Sequence, residues 1–125
     1  MARMRNNYVR DKLRRGEPSI GVFLGLESPN AAELFGHQGF EWLLIETEHN
    51  GLDAAEVESM VRAIETTEAI PLVRVPSHDQ VPIQRALDIG ALGVKVPMIK
   101  TAEEAQKIVS FSRYPSEGIR SWGPM

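Results

Sequence analysis

The sequence contains no cysteine. This excludes disulfide stapling, a thiolate nucleophile and cysteine metal ligands. No apolar run approaches the ~20 residues that a bilayer span requires. Charge of one sign is also missing. Lys and Arg number 14 against 17 Asp and Glu, a net charge of −3, which gives no nucleic-acid or membrane signature. No Gly-x-Gly-x-x-Gly follows the first apolar segment, and no Gly-Lys-Ser/Thr loop occurs, so nucleotide-binding folds lose ground.

What is present suits one soluble globular domain over residues 1–125: 42% of residues are hydrophobic and 25% charged. The N-terminus, "MARMRNNYVRDKLRR", is locally basic. Asp11 and the absence of Ser argue against a transit peptide. The stretch 1–17 reads instead as a basic arm with a short amphipathic helix near Asn7 to Arg15, whose Tyr8 and Leu13 touch the body. The expected compartment is cytoplasmic, with neither nucleic acid nor membrane as a partner.

The rest of the chain alternates. Strands are predicted over 19–26, 41–46, 70–75 and 92–98 from short apolar runs bounded by turn formers. Helices are predicted over 28–39, 53–67, 79–90 and 101–113. Ser28 and Pro29 supply a cap and a first helical position. Asp53 with Glu56, and Thr101 with Glu104, have capping-box spacing. Gly90 marks a helix end. Four strand–helix units in succession give the cadence of a parallel sheet covered by helices. The cadence alone leaves a doubly wound sheet and a (β/α)₈ barrel both open.

Chemistry-bearing residues gather where strands end. "EWLLIETEHNG" (41–51) runs from a buried strand straight into Glu46, Thr47, Glu48 and His49. A loop histidine can simply meet solvent, but beside two carboxylates it can move a proton near neutral pH. Arg74 interrupts "IPLVRVP". It either forms a structural ion pair with Glu46 or Glu48, or holds a carboxylate or enolate with its planar fork. Glu46 and Glu48 share a face by the period of two. They can surround a hard divalent cation or pair with Arg74 and Lys95. Asp88 sits late in a helix, where the dipole disfavours a carboxylate. It is either a solvated surface residue or one that orients a histidine. His37 and His78 read as surface residues. Arg120 and Ser121 lie in a turn-rich tail, "RYPSEGIRSWGP" (113–124), which reads as loop or as a site margin.

At "GFEWLLIETEHNGLD" the chain resembles the HpcH/HpaI aldolases, class II pyruvate aldolases acting on 4-hydroxy-2-oxo acids. The resemblance continues through "PLVRVP", "IQRALDIGALGVKVPMI", "TAEEAQKIV" and "RYPSEGIRSWG". It covers nearly everything after about residue 17. It implies a (β/α)₈ TIM barrel, of which this chain supplies about the first four βα units, and assembly as a homo-oligomer, usually a hexamer with swapped helices. It also implies a divalent cation (Mg2+, Mn2+ or Co2+) that binds pyruvate or its enolate.

The family's catalytic histidine falls on His49, the base that acts on the hydroxyl. The arginine holding the oxo group falls on Arg74, and the aspartate that partners the histidine falls on Asp88. The aromatic residue shaping the aldehyde side falls on Phe23. Family members commonly carry Asp where Glu46 stands, and many carry Trp in place of Phe23. The two metal-ligating carboxylates come from strands five and six, beyond residue 125. That leaves Glu46 and Glu48 as candidates for the metal's surroundings rather than its ligands. The reaction implied is cleavage of a 4-hydroxy-2-oxo acid to pyruvate and an aldehyde, with this chain alone inactive. Two rivals remain: a macrophomate-synthase-like enzyme that decarboxylates oxaloacetate and uses the enolate, and a non-catalytic half-barrel.

Overall fold

The computed structural model describes residues 6–123. Residues 1–5 of the basic arm and the last two residues of the tail lie outside the described part. The element order is α1 (Tyr8–Arg14), β1 (Gly21–Leu24), α2 (Pro29–His37), β2 (Trp42–Glu46), α3 (Ala54–Glu65), β3 (Ile70–Arg74), α4 (Gln80–Asp88), β4 (Gly93–Lys95) and α5 (Ala102–Ser112). The four strands form one sheet in the order β1-β2-β3-β4, every pair parallel. This is the first half of a (β/α)₈ barrel laid out in sequence order.

Strand alternation sorts the side chains. Leu24, Leu43, Ile45, Val73 and Val75 face the helices and pack with Ala32, Val57, Met60, Val61, Ile64 and Ile83 in one buried cluster. Full burial of such an aliphatic side chain contributes about 1.5–3 kcal/mol, so this layer holds sheet and helices together. The intervening residues, among them Phe23, Trp42, Leu44, Glu46, Leu72, Arg74 and Lys95, line the opposite, helix-free face.

Helix starts follow the sequence signals. Ser28 accepts from the Ala31 N–H at 3.2 Å. The capping boxes at Asp53/Glu56 and Thr101/Glu104 both form. Helix α4 lacks such a cap. The Ser77 hydroxyl occupies Asp79 instead, donating to Oδ2 at 2.8 Å. Gly90, just past α4, has φ +107°, which favours glycine.

Strands β1 and β4 are shorter than predicted. Among the described residues each pairs with one neighbour, so pairing ends sooner than in β2 and β3. Helix α1 crosses the lower end of the sheet's second face, which is otherwise free of helices among the described residues. Tyr8 Oη donates to the Glu41 carbonyl at 3.2 Å, Asn7 Nδ2 donates to the Leu92 carbonyl at 3.2 Å, and Lys12 Nζ meets Glu41 Oε1 at 2.5 Å. Val9 is its buried apolar residue, whereas Leu13, predicted to touch the body, is 58% exposed. The carboxylate of Glu41 takes the lysine from one side of the chain, and α1 thereby closes the end of the face away from the polar rim.

Candidate active site

The polar rim lies where β2, β3 and β4 end. Glu46, Arg74 and Lys95 are successive register partners and so form one row on the helix-free face. Arg74 Nη2 forms an ion pair with Glu46 Oε2. Arg74 Nε lies 3.2 Å from Glu48 Oε2, a charge contact whose N–H is not aligned as a hydrogen bond. Glu48 Oε1 is in turn 3.6 Å from His49 Nε2. The sequence left pairing of Arg74 with Glu46 or with Glu48 as alternatives. The structure has both, and Glu48 bridges the arginine to the histidine.

Glu46 also shapes the loop that follows it. Its Oε1 accepts from the backbone N–H of Glu48 at 2.7 Å and of His49 at 3.2 Å. Burial pushes the Glu46 carboxyl up, but the hydrogen bond from Arg74 and the two loop N–H groups outweigh it and leave it below its ordinary value. Thr47 fastens the same turn to β3, its hydroxyl donating to the Arg74 carbonyl at 2.5 Å. The strand therefore ends in polar residues that hold their own loop, and His49 is presented to solvent with its side chain 70% exposed.

Phe23 stands under this row. Its ring meets Trp42 edge-on, centroids 6.3 Å apart. The Arg74 Cζ is 5.6 Å and the Lys95 Nζ 4.7 Å from its centroid. Pairing of Lys95 with Glu46 or Glu48, one of the sequence expectations, does not form, because Arg74 occupies both carboxylates. Lys95 rests on the aromatic face instead.

Asp88 is not brought to His49. Its Oδ1 accepts from Arg120 Nη2 at 2.6 Å and from Nε at 3.3 Å. The tail delivers Arg120 by folding back over α5: the Ile119 N–H donates to the Ser110 carbonyl at 2.8 Å, and the Arg120 N–H to the Arg113 carbonyl at 2.9 Å. Gly118 permits this approach, since a Cβ there would lie 2.4 Å from both the Ser110 and Arg113 carbonyl oxygens. Arg120 then stacks over Tyr114, 4.7 Å from the ring centroid. The predicted Asp88–His49 partnership thus has no counterpart among the described residues.

A family model for the HpcH/HpaI aldolase/citrate lyases matches residues 19–123. The chain belongs to this family. Among curated family relatives, it is 42% identical over 118 residues to a 4-hydroxy-2-oxovalerate aldolase of Novosphingobium aromaticivorans, covering 94% of this chain and 45% of the relative. It is 43% identical over 118 residues to a 4-hydroxy-2-oxo-heptane-1,7-dioate aldolase of Klebsiella pneumoniae, covering 94% and 44%. Among solved structures it is similar to a family protein from Burkholderia cenocepacia, with TM-score 0.89, 36% identity, and coverage of 94% of this chain and 49% of that one. It is also similar to a macrophomate synthase, with TM-score 0.81, 28% identity and coverage of 93% and 40%. The chain spans about half the length of the relatives it matches.

Proposed function

We propose that this chain carries the histidine–arginine half of the active site of an aldolase that cleaves 4-hydroxy-2-oxo acids to pyruvate and an aldehyde. The observation that supports it is the continuous run Glu46–Arg74–Glu48–His49 on the rim of a family half-barrel. His49 Nε2 takes the proton of the C4 hydroxyl, with Glu48 as the opposite charge for the imidazolium that results. The C3–C4 bond breaks, the aldehyde leaves, and the electron pair moves onto the 2-oxo group as an enolate. Arg74, locked between two carboxylates, presents fixed positive charge to that oxygen without having to reorganise. Proton return to C3 gives pyruvate.

Among the described residues no group of three or more His, Asp or Glu could hold an ion, and Glu46 and Glu48 are engaged by Arg74. The divalent cation of such an aldolase would take its ligands from outside this chain. The names of the similar aldolases divide between a substrate with one carboxylate and a substrate with two, both of them 4-hydroxy-2-oxo acids. A second reading, decarboxylation of oxaloacetate to the same enolate, is favoured by the similarity to macrophomate synthase.

The test is pyruvate release by the barrel-complete protein, in which this chain is joined to a half supplying strands five to eight. Turnover of a hydroxy-oxo acid that is lost in His49→Ala supports the aldolase reading. Turnover of oxaloacetate alone replaces it with the second reading.

A further inference from the structure

Thr47 stands between the two glutamates of the rim, and strand alternation sends its side chain to the helix side of the sheet. There it lines a cavity of about 140 Å3 between α3 and α4, with Leu52, Val73, Val75, Ala86 and Ile89. Its hydroxyl donates to the Arg74 carbonyl at 2.5 Å, and its backbone N–H donates to the same oxygen at 3.1 Å. From the opposite face, Glu46 grips the guanidinium of the same arginine. The rung where β2 meets β3 is therefore clamped on both faces, by a carboxylate on one and a hydroxyl on the other. Both strands have a paired neighbour on each side within this chain, so the clamp is complete without strands five to eight.

An interior side chain is ordinarily held by close-packed neighbours. Beside Thr47 the cavity leaves that packing incomplete, so the hydrogen bond sets where the side chain sits. Thr47 is also the last residue before Glu48 and His49, and fixing it fixes the direction in which they leave the strand. The geometry points to Thr47 as a positioning residue. Its hydroxyl, tied to the Arg74 carbonyl, holds the loop of Glu48 and His49 against the strand that carries the guanidinium, so that the proton acceptor and the fixed charge meet one substrate. This deepens the aldolase reading and rests on it for the reaction, while the tether itself does not depend on turnover.

The experiment uses the barrel-complete protein and the variants Thr47→Val, which keeps the shape and removes the donor, and Thr47→Ser, which keeps the donor and removes the methyl. In Thr47→Val the Arg74 carbonyl still accepts from the backbone N–H at position 47, so no buried acceptor is orphaned and the fold should hold. Pyruvate release is measured with a 4-hydroxy-2-oxo acid and with oxaloacetate, and the acid that turns over is used. Thr47→Val should lower kcat about tenfold with KM within about twofold, because substrate still meets Arg74 while the acceptor for its proton is displaced. Thr47→Ser should recover most of kcat. An unchanged kcat, a loss carried by KM alone, or a Ser variant as slow as the Val variant overturns the assignment. Hydrogen exchange supplies a readout that needs no turnover. The Glu48 and His49 amides, which donate to Glu46 Oε1, should exchange faster in Thr47→Val and not in Thr47→Ser. If the unmutated protein releases pyruvate from neither acid, the aldolase reading fails and exchange decides alone. Acceleration confined to the Val variant then upholds the tether, and any other pattern overturns it.

Discussion

Glu46 and Arg74 face each other across adjacent parallel strands and form an ion pair on the helix-free side of the sheet. The same glutamate holds the backbone of Glu48 and His49. One carboxylate thus fixes the arginine and sets the loop carrying the histidine. Its two oxygens are divided between the tasks, Oε2 for the charge and Oε1 for the loop.

Glu46→Gln separates these tasks. The amide oxygen can still accept from the two loop N–H groups, but the negative charge opposite Arg74 is gone. Arg74 then leans on Glu48, which draws Glu48 away from His49. In the barrel-complete protein kcat should fall about tenfold or more while KM changes little, since an interaction realised at the enolate is weakened. Steady-state kinetics of pyruvate release measure this. A change confined to KM would mean that Arg74 acts only in binding.

Acid should release α1 before it unfolds the sheet. The hydrogen bond from Lys12, assisted by the Ile20 N–H, lowers the Glu41 carboxyl from 4.5 to about 2. A carboxyl lowered by folding contributes stability above its unfolded value, and that contribution is lost as pH falls through the folded one. Hydrogen exchange of the α1 amides should therefore be slow above about pH 4.5 and accelerate toward pH 2 beyond the intrinsic trend. In Glu41→Gln the helix should be less protected at neutral pH, with the acid dependence flattened. Identical profiles in the two proteins would remove Glu41 as the tether.

The sheet was legible because its signals are local. "WLLIE" and "IPLVR" are short apolar runs, and Ser28, Asp53 and Thr101 cap where their side-chain chemistry requires. The gathering of His49, Arg74 and the two glutamates was legible for the same reason, as each ends a strand or lies in the loop just past one. The competition among them was not. Arg74 and Lys95 are both cations within reach of Glu46 and Glu48, and only the register, which sets Arg74 directly opposite Glu46, decides between them. Asp88 was harder still. Its partner Arg120 is 32 residues away and arrives through a tail whose turns follow from close backbone contact at Gly118, a packing event that no periodicity announces.

Asp88→Asn tests what that carboxylate does. If its work is to hold the tail through Arg120, the variant should loosen residues 113–123, seen as faster exchange at the Ile119 and Arg120 amides. Pyruvate release by the barrel-complete protein should then stay within about twofold. A drop of 10²-fold or more, with the tail still protected, would restore Asp88 as the group that orients His49.

By themselves, these 125 residues should bind Mn2+ weakly and cleave 4-hydroxy-2-oxo acids negligibly. Hard divalent cations favour several oxygen ligands in near-octahedral geometry. The acidic oxygens at this rim are already committed: Glu46 to Arg74 and to two backbone N–H groups, Glu48 to Arg74 and beside His49. Recruiting them for a metal would strip the guanidinium of its partners and release the loop that positions the histidine, so the ion and the arginine compete for the same atoms. Arg74→Met should accordingly raise the Mn2+ affinity of the isolated chain while lowering activity in the barrel-complete protein. Titration of Mn2+ followed by electron paramagnetic resonance measures the first effect, and pyruvate release, with His49→Ala as control, measures the second. Tight Mn2+ binding by the unmutated 125-residue chain, or sustained turnover by it that disappears in the control, would show that Glu46 and Glu48 serve as metal ligands after all and that the ion pair with Arg74 yields to the cation.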